Sequence, residues 1–530
     1  MRVPWDERCG EAIGAAWLDD ALAPSGALGR AARALEAPFG PGDEGAARTA
    51  IERVARAAAS VDAGVLAALR ATVAGSPDPS PSLLRARSGG VLGDVEFFEL
   101  SRFLGALAEV SAGGAERAFG DLLPCDETGL RAALAPGRTA AGSFYLADSF
   151  DADLAHARDE AAARQTDYDL ARSRLGERVA RYAGVERVRD GEFVLMRDAI
   201  ALPVPPEIRV LREASTYLLC ELSLDAAALE ALAALAAANE RVAETEERLR
   251  AKLSARVAEH ATALERAAEM LGALDLFLAR TAFAQRYDCA VPELAACAGI
   301  GFTGARYLPL AASLERHARR YVPISMELSG IGIVTGPNMG GKTAALRTLG
   351  FLAACVVRGV PVPASRARIP LFGDIAWLGI GAEPGDEGLL SAFGSEVVAV
   401  RAFLEREPRR SLVLIDEFAR TTSPLEGRAL LVALLETLRA RGALALAATH
   451  LANVVPSGGA MHFSIGGFAN VPARNGRPLD LETALARIAD AMDYRLRRVS
   501  EDAVPASDAI ALADALGLEP DLIARAKASL

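Results

Sequence analysis

The chain has 530 residues, 51% of them hydrophobic, and a formal net charge of −11, which is enough length and apolar content for about three domains. The acidic balance argues against broad affinity for nucleic acid, although a local basic patch decides such binding. Cys9, Cys125, Cys220, Cys289, Cys297 and Cys355 show no C-x-x-C spacing, and there is no signal peptide or 18-residue apolar run; the expectation is a cytoplasmic protein with reduced thiols, no membrane contact and no Cys/His metal cluster.

Residues 1–90 are rich in Ala, Arg and Glu, break at Gly75 to Ser82, and read as a helical N-terminal segment without an assigned function. Residues 91–183 read as a helical core that begins with the apolar stretch Val95 to Ala106 and ends in a charged helix over 150–183. In 184–222, Glu192-Phe193-Val194-Leu195-Met196 reads as a strand, and Pro203, Pro205 and Pro206 break any longer pattern. Over 223–300, Leu249, Leu253, Val257, Leu264, Leu271 and Leu274 recur near helical spacing between Glu and Arg, which predicts a long returning amphipathic helix.

Residues 301–530 hold the chemistry. Gly336-Pro337-Asn338-Met339-Gly340-Gly341-Lys342-Thr343 fits the G-x-x-x-x-G-K-[ST] phosphate loop. The β-branched run Gly332 to Thr335 precedes it and the helix-forming run Ala344 to Val357 follows, so the loop joins a strand to a helix, as the motif requires. Glycines let backbone N–H groups approach phosphate without a Cβ in the way, and the helix N-terminus adds favourable partial charge. Gly336, Asn338, Met339, Gly340 and Gly341 therefore read as the phosphate cradle, Lys342 as the cation on the β/γ-phosphates of ATP, and Thr343 as a Mg²⁺ ligand. Only three lysines occur, Lys252, Lys342 and Lys527. One of them stands where a point charge is needed and an arginine fork would not serve.

Ser411-Leu412-Val413-Leu414-Ile415-Asp416-Glu417 supplies the hydrophobic strand ending in acids that a phosphate-loop site also needs. Such strand ends are common in parallel sheets, but downstream of a phosphate loop they predict Asp416 on Mg²⁺ and Glu417 orienting the attacking water. Ala443 to Ala448 reads as another buried strand, ending in Thr449-His450. His450 is either a structural histidine or a γ-phosphate sensor, and its place at the end of a core strand suits the second role. Between the glycine and acidic motifs, Ser391 opens a helix, where it can bind phosphate or serve as an N-cap.

These residues together resemble the MutS family of DNA mismatch-repair ATPases. The resemblance rests on Thr335 to Thr343, Val362-Pro363-Ala364, Ser391-Ala392-Phe393 with Glu396, Leu414 to Glu417, Arg420-Thr421-Thr422-Ser423 and Ala448-Thr449-His450. Ser507 to Ile510, Ala515 to Leu518 and Ile523 to Ala526 resemble the helical segments that close the family's ATPase domain and help it dimerise. Upstream, Ser215 to Leu222, Leu274-Asp275-Leu276 with Tyr287-Asp288-Cys289, and Phe150 to Leu154 are similar to its core and lever segments. The resemblance implies an α/β fold: an ABC-type P-loop ATPase domain at 301–530, with C-terminal helical dimerisation segments, preceded by a mainly helical core and lever region with a reduced clamp-like tip at 184–222. It further implies a homodimer with composite ATP sites, in which Ser391 of one subunit faces the γ-phosphate held by the other.

Departures from the family narrow the partner. Mismatch-recognising members carry an N-terminal domain with a Phe-x-Glu wedge, for which this chain has no room, and Phe97-Phe98-Glu99 lies in an apolar helical stretch and reads as core. Residues 181–213 balance Arg181, Arg187, Arg189, Arg197, Arg209 and Arg212 against Glu186, Asp190, Glu192, Asp198, Glu207 and Glu213. A DNA clamp pairs several cations with phosphates. The family's Gly-Thr-Ser loop after the acidic strand appears here as Thr421-Thr422-Ser423. Two partners follow: branched or structured DNA, as the family default, or a cobalamin-dependent aminomutase that such an ATPase reactivates.

Overall fold

The computed structural model describes residues 3–529 apart from 113–115, 138–141, 187, 189–190, 201–202, 295–298, 338–340, 380–391, 408, 468–487, 489–490 and 501–508. Two compact units divide the chain, one made of residues 75–112 and 124–271 and the other of 1–74, 113–123 and 272–530. Among the described residues no single helix is long and apolar enough to cross a membrane.

In the first unit, helix Asp94–Ala112 buries Phe97, Leu100, Phe103, Leu104, Leu107 and Val110, the three- and four-residue spacing of one helix face. Phe97 is fully buried and stacks on Phe144 with ring centroids 5.3 Å apart, so the Phe-x-Glu outline is core packing. Helix Ala152–Ala183 starts where the Asp151 side chain accepts the N–H of Asp153 and stops at left-handed Gly184. Its buried residues lie at its two ends, Leu154 and then Leu175, Val179, Ala180 and Ala183. Ion pairs hold its middle: Arg158 donates to Asp148 at 2.6 Å and to Glu246 at 2.7 Å, and Glu160 accepts from Arg241 at 2.6 Å. Glu246 and Arg241 belong to helix Ala226–Arg286, whose residues up to 271 lie in this unit.

Strands β1 (Glu192–Met196), β2 (Ile208–Glu213) and β3 (Tyr217–Leu222) form an antiparallel tip sheet in the order β1-β3-β2. Period-two alternation sends Leu195, Leu218 and Cys220, with Ile208, against Leu175, Val179, Ala180 and Ala183 of the preceding helix. Elsewhere on the tip, Arg209 pairs with Glu221 at 2.6 Å, Arg197 with Glu213 at 2.5 Å, and Arg178 with Asp225. Val194 and Met196 are exposed, two residues apart on the face of β1 opposite Leu195.

The second unit contains two sheets. An antiparallel one, in the order β5-β4-β7, is built from β4 (Gly299–Ala305), β5 (Ile324–Ser329) and β7 (Arg366–Arg368). The larger sheet uses β6 (Ile331–Thr335), β8 (Asp374–Gly379), β9 (Ser411–Asp416), β10 (Leu444–Ala448), β11 (Met461–Ile465) and β12 (Leu496–Val499) in the order β12-β11-β6-β10-β9-β8. All its pairings are parallel except β11 with β12. Every residue of β8, β9 and β10 is buried, as expected of strands covered on both faces. Along β9, Leu412 and Leu414 join the core under helix Lys342–Val357, while Val413 and Ile415 join the opposite one, with Leu431, Leu434, Leu435 and Leu438 of helix Pro424–Ala440.

Of the N-terminal segment, residues 3–74 are built into this unit as helices, while helix Ser80–Arg87 lies in the first unit. Asp6 caps helix Glu7–Ile13 by accepting the N–H of Cys9, and Cys9 and Ile13 enter the core that holds helix Lys342–Val357. The carbonyl of Pro4 accepts the N–H of Ile375 at 2.6 Å, so the chain start covers part of the edge of β8. Farther on, the fully buried Asp275 accepts the N–H groups of Ser25 and Gly26 at 2.9 and 2.7 Å, satisfying the entry to helix Ala27–Leu35.

Candidate nucleotide site

Residues from β6, β9 and β10 meet at the C-terminal end of the parallel sheet, where open α/β sheets place ligands. β6 leads into Gly336, whose φ is 143° and whose added Cβ would stand 2.8 Å from the carbonyl oxygen of Ile465 on the neighbouring strand. Only glycine turns the chain there. Asn338, Met339 and Gly340 lie outside the described residues. Gly341, with φ 100°, is the N-cap of helix Lys342–Val357, which begins two residues before the expected Ala344.

Lys342 is nearly buried, and its Nζ donates to the carbonyls of Gly336 at 2.9 Å and Pro337 at 3.3 Å. It also lies 3.6 Å from Glu417 Oε1. Burial lowers its pKa from the ordinary lysine value, and the Glu417 carboxylate opposes that shift. Thr343 Oγ1 stands 3.1 Å from both carboxylate oxygens of Asp416, the last residue of β9. Burial raises the Asp416 carboxyl, opposed first by the Thr343 hydrogen bond. A hydroxyl beside a desolvated carboxylate is an oxygen donor set that a hard divalent cation would complete, so Thr343 and Asp416 fit Mg²⁺.

Glu417 leaves the strand with φ 52°, and Ala419 has φ 61°; both are left-handed and neither is glycine. Three contacts fix this turn: the Glu417 N–H donates to the Ala448 carbonyl at 2.9 Å, the Ala419 N–H to Glu396 Oε2 at 2.7 Å, and Arg420 to Glu417 Oε2 at 3.3 Å. The carboxylate of Glu417 is thus held between Lys342 and Arg420. Behind it, Gly379 at the end of β8 has φ 122°, and a Cβ there would lie 1.9 Å from the Asp416 carbonyl oxygen, so the two strand ends touch backbone to backbone.

His450 follows β10 by two residues, is exposed, and makes no side-chain hydrogen bond among the described residues. It sits past the strand that separates β6 from β9, with the Thr449 N–H bonded to Val334 at 3.0 Å. Ser391 lies outside the described residues. The described structure therefore brings together Gly336, Gly341, Lys342, Thr343, Asp416 and Glu417, with His450 at the rim.

Beside Gly341 opens a cavity of about 410 Å³ whose walls include Leu310, Leu314, Tyr321, Ile324, Met492 and Tyr494, and which also touches Ala344, Ala345 and Thr348 of the helix after the loop. Arg319 and Arg320 also line it, and its aromatic and aliphatic walls suit a flat ring system. Sequence reading did not find these residues, because Tyr494 and Tyr321 come from distant segments and carry no local motif. Glu396 and Arg420 lie in the sequence motifs, but nothing local in the sequence shows the contacts they make.

A mostly parallel sheet that feeds a glycine turn into a buried helix, with a strand-end Asp-Glu pair alongside, defines an α/β domain. Residues 332–473 match the family model described as MutS domain V. Among its relatives, Endonuclease MutS2 of Agathobacter rectalis is 36% identical over 208 residues, 38% of this chain and 25% of that protein. Endonuclease MutS2 of Geobacillus thermodenitrificans is 36% identical over 207 residues, 38% and 26% respectively, and that of Enterococcus faecalis 34% over 214 residues, 40% and 27%. The chain spans about a quarter of the length of the curated relatives it matches.

Proposed function

We propose that the chain is an ATP-hydrolysing MutS-family clamp that works as a homodimer and couples ATP binding and hydrolysis to gripping and releasing a macromolecule. The observation that carries this reading is the meeting of Lys342, Thr343, Asp416 and Glu417 at one sheet end beside a ring-sized cavity. Lys342 exchanges the Gly336 and Pro337 carbonyls for the β/γ-phosphates, while the loop N–H groups and helix terminus hold the remaining phosphate charge. Thr343 and Asp416 would hold Mg²⁺, which would neutralise charge on the phosphates. Glu417 orients the water for in-line attack, and His450 senses the γ-phosphate. Ser391 of the partner subunit completes each site, so an isolated subunit turns over slowly.

For the gripped macromolecule, the family reading is DNA of branched or otherwise special structure, and the curated relatives are named as endonucleases. Cleavage is not carried over to this chain on a match to about a quarter of those proteins. A second reading, a protein partner such as a cobalamin-dependent aminomutase awaiting reactivation, is favoured by the tip sheet, where Arg197 and Arg209 are already paired with carboxylates and Val194 and Met196 are exposed.

Glu417→Gln tests the engine: it retains bound ATP and stalls turnover, and rapid hydrolysis by this variant would overturn the role given to Glu417. ATPase rates with branched DNA, linear duplex or an inactivated mutase then separate the partners. Stimulation by branched DNA that falls steeply with salt supports the DNA clamp; stimulation by the mutase alone supports the protein reading.

A further inference from the structure

The N-terminal segment, without a role in the sequence reading, reaches the back of the candidate site. Arg8, on helix Glu7–Ile13, donates from Nη2 to the carbonyl oxygen of Gly379 at 2.5 Å. Gly379 ends β8 in register with Asp416 and lies against its backbone, so Arg8 grips the strand end on which the Asp416 peptide rests. On the same side, Glu396 is 5% exposed and accepts the Ala419 N–H at 2.7 Å. Burial raises the Glu396 carboxyl, and both that hydrogen bond and the positive charge of Arg8 oppose the rise.

We infer that Arg8 and Glu396 are positioning residues that act through the Gly379–Asp416 contact and the Ala419 N–H to hold the left-handed turn carrying Glu417. Left-handed backbone at residues with a Cβ persists only where surrounding groups over-determine it. Glu417 and Ala419 are two such residues within three positions, and Glu396 holds the second of them by a charge-assisted bond. Ile13 of the same N-terminal helix packs where a Cβ of Gly350, in the phosphate-loop helix, would otherwise stand, so that helix spans both halves of the site. The inference rests on the reading of Glu417 as the water-orienting carboxylate.

The test uses the full chain and compares wild type with Arg8→Ala, Arg8→Lys, Glu396→Ala and Glu396→Gln, reading kcat at saturating ATP, Kd for a fluorescent ADP analogue, and Tm. A small misplacement of a reacting group costs up to about 100-fold in rate, so Arg8→Ala and Glu396→Ala are expected to lose about 10- to 100-fold in kcat with Kd within about 3-fold of wild type. Arg8→Lys, which keeps a charged donor, and Glu396→Gln, which keeps a carbonyl acceptor, recover part of the loss. These two carry the test if the alanine variants do not fold. Wild-type kcat in the variants, or kcat, Kd and Tm all falling together with no gain from Arg8→Lys, overturns the positioning role. A wild-type chain that binds ATP without turnover overturns the hydrolase reading itself and is seen before any variant is compared.

Discussion

On the tip sheet, Arg197 and Arg209 each meet a carboxylate with their own side chains between a third and two-thirds exposed, whereas at the end of the six-stranded sheet the Lys342 and Glu417 side chains are 4% and 13% exposed. The tip ions have water and a partner and contribute only about 0–1 kcal/mol each. The ions at the sheet end lack water, and burial shifts Lys342 and Asp416 toward their neutral forms. Backbone follows the same division. Glu417 and Ala419 are left-handed at the sheet end, while the described strands of the tip hold extended backbone with one register shift between Val210 and Arg212. Strain and desolvated charge concentrate where a phosphate and a cation can relieve them, and the tip is already neutral without a ligand.

The sharpest break of this contrast is Lys342→Ala. Removing the buried cation proposed to meet phosphate is expected to lower ATP turnover by at least about 100-fold and to abolish the rise in Tm that ATP gives. Steady-state hydrolysis and a thermal melt with and without ATP measure both. Turnover near wild type would place the phosphates elsewhere.

Asp416→Asn should act in opposite directions on stability and binding. Because the folded chain raises the Asp416 carboxyl, it holds that proton more tightly than the unfolded chain does, so the ionised group costs stability once pH rises through the folded value. Asparagine removes that cost. The ATP-free variant is expected to melt about 1–2 °C higher at neutral pH, with the gain shrinking as acid protonates the wild type, and to lose Mg²⁺-dependent stabilisation by ATP. Melting curves across pH decide this; a lower Tm at neutral pH would contradict the sign.

The smallest effect belongs to the tip. Arg209→Ala is expected to change stability by less than about 1 kcal/mol and to leave retention of duplex DNA unchanged between low and moderate salt. A weaker retention, with a salt slope reduced by about one, would show Arg209 on a phosphate and move the tip to the DNA reading.

What the sequence made legible follows from how locally each feature is encoded. The glycine turn, the runs Leu412 to Asp416 and Ala443 to Ala448, the strand Glu192 to Met196 and the two charged helices all declare themselves within a few residues, by φ requirements, β-branching or period. Glu417 was legible as an acid but not as a left-handed residue, because its φ is imposed by Ala448, Glu396 and the Gly379 contact. Arg8 and Tyr494 were invisible for the same reason: nothing next to them in the chain mentions the site, and only tertiary packing delivers them. Ala and Arg dominate the first 90 residues and say helix, but not what the helix braces.

The hydrogen bond from Arg8 to Gly379 joins positions 371 residues apart. During synthesis at the usual speed of a ribosome, that interval lasts roughly 20–75 s. Helix Glu7–Ile13 therefore settles late, and Cys9 and Ile13, fully buried in the finished protein, wait uncovered until the strands of the six-stranded sheet have been made.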